Sequence, residues 1–74
     1  MREFSARRLR EMTRSEIEVK LRDIEEELHN MKLRATLRQE ANPVRMRELR
    51  RAIARIKTML REDDLGIRRL AREE

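Results

Sequence analysis

The 74-residue chain has no cysteine, so it can form neither a disulfide framework nor a thiolate metal site. One glycine, one proline and one aromatic residue, Phe4, give it little with which to make turns or fill a globular core. No apolar run approaches the roughly 18–20 residues that cross a bilayer, so no membrane insertion is expected. β-Branched residues are scarce, and no stretch alternates apolar and polar side chains long enough to read as a strand. The opening residues, MREFSARRLREM, lack the apolar segment of a secretory signal, and a cytoplasmic protein is expected. There is no glycine-rich phosphate loop, no nucleophile–base pair and no set of metal ligands. We therefore expect no enzyme, no catalytic or metal-binding residue and no cofactor.

What the chain has in abundance is charge. Charged residues make up 47% of it and hydrophobic ones 38%, a balance that suits long amphipathic helices in one small domain covering residues 1–74. Ser5 can cap a short helical turn over residues 5–12. Thr13-Arg14-Ser15-Glu16 then reads as a capping box that opens a helix over about 14–40. The apolar stripe of that helix is Ile17, Leu21, Ile24, Leu28, Met31 and Ala35, with the alternating spacing of a coiled-coil seam. Asn42-Pro43 ends it and starts the next, because Asn is a good N-cap and Pro fits the first helical position. The turn is placed at 41–42 and the second helix at about 43–64, with Met46, Leu49, Ile53, Ile56 and Leu60 as its stripe. Gly66 suits the position just past a helix end.

So short a connection makes the helices antiparallel neighbours, and the expected fold is an all-α, coiled-coil-like two-helix hairpin. Ala35 with Leu49, Met31 with Ile53, Leu28 with Ile56, and Ile24 with Leu60 have residue numbers that each sum to 84, which centres the turn on Asn42. Ile17 with Ile67 continues that series. The tail, residues 66–74, is expected to be an extension or a disordered end.

The net charge of +5 is concentrated in one segment. Between Asn42 and Glu62, the cations Arg45, Arg47, Arg50, Arg51, Arg55, Lys57 and Arg61 face only Glu48 and Glu62, while the rest of the chain nearly cancels. At 100° per residue, Arg47, Arg50, Arg51, Lys57 and Arg61 lie within about 60° of one direction, on the side of the helix away from the apolar stripe. Arg55 lies just beyond, and Ala54 and Thr58 keep the surface among them low. A solvated face is the bland reading of such an arc. The near-absence of acids on it, against the mixed charges of the first helix, favours a polyanion. RNA fits better than DNA, because a hairpin has no third helix to buttress a major-groove reader and shape-and-phosphate contact is typical of structured RNA. Seventeen of the twenty cations are Arg, which suits planar contacts with phosphate.

Other residues carry weaker signals. Val19, Leu33 and Leu37 lie opposite the seam, and Leu33 with Leu37 form one patch near the turn that is a candidate protein contact. His29 has no second ligand and reads as a surface imidazole. Glu25, Glu26 and Glu27 fan around the helix axis and do not converge on a metal.

Asn42-Pro43, Met46-Arg47, Leu49-Arg50-Arg51, Ile53-Ala54-Arg55-Ile56, Lys57-Thr58 and Leu60-Arg61-Glu62 together resemble the large-subunit ribosomal protein twenty-nine family. The stretch LREMTRSEIEVKLRDIEEELHNMKL, residues 9–33, looks like the family's first helix. The resemblance implies an antiparallel hairpin lying on large-subunit ribosomal RNA near the nascent-chain exit. It implies a neighbouring exit-site ribosomal protein as a partner, with targeting or chaperone factors docking close by. Arg47, Arg50, Arg51 and Arg55 inherit the RNA-contact role. The archaeal type of the family is expected, with GIRRLAREE as an archaeal-type extension unless that tail is disordered. Two other readings compete: a free coiled-coil module whose seam pairs between chains, and a basic helix lying on anionic membrane, which the lack of Trp disfavours.

Overall fold

In the computed structural model, residues 4–37 and 42–72 are described, and each helix begins on the cap its sequence provides. Helix α1, Ala6–Arg10, starts at Ser5, whose hydroxyl accepts from the Arg8 amide. Helix α2, Arg14–Thr36, starts at Thr13 with a complete capping box. Thr13 Oγ1 accepts from the Glu16 amide at 3.3 Å, and Glu16 Oε1 accepts from the Thr13 amide at 3.2 Å. Helix α3, Pro43–Asp64, starts at Asn42, whose side chain accepts from the Arg45 amide at 3.1 Å. Pro43 takes the first helical position, where an amide proton would have no partner. Leu37 caps the end of α2, its amide donating to the Leu33 carbonyl. Residues 38–40, predicted as the last turn of that helix, and residue 41 of the predicted turn lie outside the described residues.

The end of α3 is a Schellman turn. The Ile67 amide donates to the Glu62 carbonyl at 3.0 Å and the Gly66 amide to the Asp63 carbonyl at 3.1 Å. Gly66 sits at φ +74°, in the left-handed region that a Cβ disfavours. Gly66→Ala should therefore destabilise the protein by about 1–2 kcal/mol. A thermal melt reads this directly, and an unchanged Tm would show that the turn can be reshaped without loss.

Helices α2 and α3 pack antiparallel. Ile17, Ile24 and Leu28 of α2 are buried with Leu49, Ala52, Ile56 and Met59 of α3. Leu21, Met31, Met46, Ile53 and Leu60 pack against them half-buried. Helices of 22 and 23 residues rising about 1.5 Å per residue account for about 35 Å of the 45 Å long dimension.

The expected seam needs correction in three places. First, the buried line of α3 runs through Leu49, Ala52, Ile56, Met59 and Asp63, leaving Met46, Ile53 and Leu60 on its flank. The cause is the segment before α2. Two helices leave one side of a core open, and Phe4 and Leu9, 1% and 0% exposed, belong to the same buried cluster. Arg55 donates to the Phe4 carbonyl, while Met59 shares a groove with Ala6 and Arg10, so this segment lies along α3. Second, the register centred on Asn42 is displaced. Arg14 pairs with Asp63 and Asp64, and Arg45 with Glu27, several positions short of a sum of 84. α2 ends at Thr36, ahead of the end expected near residue 40. Ala35, assigned to the seam, is exposed. Third, Ile67 does not face Ile17, because Ile17 is fully buried and Ile67 is 68% exposed.

The tail is where expectation and structure differ most. Residues 66–72 are not a disordered end; they fold back over the open end of the hairpin, with Leu70 buried. The Arg14 amide, one of the orphan donors of α2's first turn, donates to the Ala71 carbonyl at 2.9 Å. The fully buried Asp63 carboxylate holds the rest. Its Oδ1 accepts from the Leu70 amide at 2.9 Å, and its Oδ2 accepts from Arg14 Nη1 and Arg72 Nη2, both at 2.6 Å. The Arg14 hydrogen bond, then those of Leu70 and Arg72, hold this carboxyl well below the usual carboxylate range against the opposing effect of burial. Arg14 also reaches Asp64 at 2.6 Å, and the two carboxylates push its guanidinium further toward the charged form.

Candidate nucleic-acid interface

Helix α3 turns its apolar line toward α2 and the N-terminal segment, so its opposite face is solvent-facing by construction. Arg47, Arg50, Arg51, Lys57 and Arg61 are all exposed there. Among the described residues, none of these five has an ion-pair or hydrogen-bond partner for its side chain. Arg47 with Arg50 and Arg51, and Lys57 with Arg61, stand three or four residues apart, where like charges each cost an isolated helix about 0.2–0.5 kcal/mol. Bound anions would relieve that repulsion.

The seven predicted contact residues divide into two kinds. Arg45 turns inward. Its Nε donates to Glu27 Oε2 at 2.8 Å, its Nη2 to Glu27 Oε1 at 3.3 Å and its Nη1 to Glu48 at 3.4 Å. Its guanidinium also lies 5.3 Å from the centre of the Phe4 ring. Lys20 approaches the same ring at 5.4 Å, so the lone aromatic is clasped by cations from both long helices. Arg55 donates to the Phe4 carbonyl at 2.7 Å. These two arginines brace the N-terminal segment, and Glu27 is the partner of Arg45. For Arg45 the spacing along α3 carries the signal, since it stands in line with Leu49, Ala52 and Ile56; for Arg55 it does not, because the group it braces comes from elsewhere in the chain. A second signal was Phe4, a large apolar side chain with no place in either stripe.

The remaining candidates are simply placed. Leu33 and Leu37 are 52% and 61% exposed, one turn apart at the connection end of the hairpin. Val19 is exposed in a shallow groove with Met12, Lys20 and Asp23. His29, Glu25 and Glu26 are exposed. Among the described residues, no group of three His, Cys, Asp or Glu could hold a metal ion, and no helix is long and apolar enough to cross a membrane.

Residues 7–62 match the protein family described as Ribosomal L29 protein. The large ribosomal subunit protein uL29 of Bacillus cytotoxicus is 48% identical over 61 residues, which cover 82% of this chain and 92% of that protein. Proteins of the same name from Bacillus cereus and Bacillus anthracis align equally well. These relatives are bacterial and do not support the archaeal type expected from the tail. No solved structure matches the chain. The family match contains all of α2 and the whole basic face of α3, but stops short of Phe4 at one end and Asp63 at the other.

Proposed function

This chain belongs to the ribosomal L29 protein family, and from that premise we propose that it docks on large-subunit ribosomal RNA through the exposed cations of α3. It is a structural, non-enzymatic constituent of the large ribosomal subunit, working in the cytoplasm among ribosomal RNA and ribosomal proteins. The observation that carries the docking surface is the row Arg47, Arg50, Arg51, Lys57 and Arg61, exposed and unpaired on one face among the described residues. Arg45 and Arg55 support that row from behind through Phe4. Binding then proceeds by neutralising phosphates and releasing counterions, with little reading of bases.

If about four phosphates are neutralised, log K for ribosomal RNA fragments should fall with log salt at a slope of about −3 to −4. A slope near zero would sink the electrostatic account. A place beside the nascent-chain exit is part of the same proposal. The Leu33–Leu37 patch would meet the neighbouring exit-site ribosomal protein there, with targeting or chaperone factors docking nearby. Exposure of both leucines at the connection end supports this reading. The competing coiled-coil module has little seam to offer, since the apolar lines of α2 and α3 are buried within one chain.

A further inference from the structure

The five unpaired cations of α3 are unevenly spread. Arg47, Arg50 and Arg51 make one group, and Lys57 and Arg61 make another. At 1.5 Å per residue the two group centres stand about 15 Å apart along the axis. Between them on that face lies Ala54, which is exposed and carries only a methyl group. Thr58 beside it turns its hydroxyl back onto the Ala54 carbonyl at 3.0 Å, and Arg55 is drawn away to the Phe4 carbonyl. Along its crest at Ala54 the face is therefore low and uncharged with a basic group at each end, and on one side it falls into a groove shared with Ala6 and Arg10 of α1.

A ligand matching that shape has two rows of phosphates with a shallow space between them. Single-stranded RNA presents one row, and its bases need aromatic platforms; the only aromatic here, Phe4, is buried. The minor groove of B-form DNA, roughly 6 Å wide, is too narrow for the two groups to straddle. The minor groove of A-form RNA is wide and shallow, with phosphates on both rims and sugar hydroxyls on its floor. Building on the RNA-docking reading above, we infer that α3 lies across the minor groove of a double-helical RNA segment. Arg47, Arg50 and Arg51 hold the phosphates of one strand, Lys57 and Arg61 hold those of the other, and Ala54 sits over the groove between.

Phosphate-ethylation interference on a fully paired RNA duplex bound to the full chain tests this strand by strand. The expected pattern is two short runs of interference on opposite strands, facing each other across one minor groove. Lys57→Glu with Arg61→Glu should erase one run and leave the other. Ala54→Leu, a swap between good helix formers at an exposed position, should weaken duplex binding several-fold without lowering Tm. A single run confined to one strand overturns the groove geometry but leaves RNA docking through α3 intact. Equal affinity for single-stranded RNA, or for a DNA duplex of the same sequence, does the same. Binding to neither RNA form overturns both readings.

Discussion

Asp63→Asn should lower Tm by on the order of 10 °C at neutral pH, more than Gly66→Ala does at the same end of the molecule. The carboxylate is fully buried and accepts three hydrogen bonds, two of them from guanidinium groups. An amide keeps the size of the side chain but turns an NH₂ group toward a guanidinium and removes the charge that compensates Arg14 and Arg72. Two elements then loosen together: the tail, through the Leu70 amide and Arg72, and the start of α2, through Arg14. The pH dependence carries the sign of a depressed carboxyl. Stability from Asp63 is present above its unfolded-state pKa of about 3.8 and is lost as pH falls below that toward the lower folded-state value. Arg14, pushed toward its charged form, stays protonated throughout and adds no window of its own. The native protein and the Asn variant should therefore differ most near pH 7 and converge as acid is added. Melts showing the same gap at pH 7 and pH 2 would rule out the carboxylate as the source.

The contrast between this hub and the basic face explains what could be read from the sequence. Helix starts are local chemistry. Thr13 with Glu16 and Asn42 with Pro43 announce themselves within four residues, and so does Gly66 at the end of α3. The free side of α3 was equally legible, because an apolar line on one side of a helix dictates what lies on the other. The closure of the core was not. Phe4 and Leu9 come from before the hairpin and Leu70 from after it, and no periodicity links them to Ala52 or Met59. Asp63 carried no sequence signal. Its burial depends on three donors, two of them in a tail expected to be an extension or a disordered end. Arg45 and Arg55 show a related limit. Their partners, Glu27 and Phe4, are set by tertiary packing. The register error has a similar origin, since two apolar stripes can be paired at more than one offset and only the true end of α2 selects among them.

Arg50→Glu combined with Arg51→Glu should weaken binding to ribosomal RNA by on the order of 100-fold at low salt and reduce the magnitude of the salt slope by about 2. Both side chains are exposed and unpaired among the described residues, so the core has no stake in them. Stability should hold or rise slightly. The Arg51→Glu change puts a carboxylate four residues from both Arg47 and Arg55, turning like-charge neighbours into opposite ones worth about 0.2–0.5 kcal/mol each. A double variant that melts no lower than the native protein, yet fails to co-sediment with large subunits, would separate binding from folding. Arg45→Ala should show the reverse, because it strips Glu27 and Glu48 of a partner and the Phe4 ring of a cation while leaving the outer row untouched. It should melt lower and retain the native salt slope whenever it is folded. Normal incorporation of the Arg50/Arg51 double variant into subunits would remove the basis for assigning RNA contact to this face.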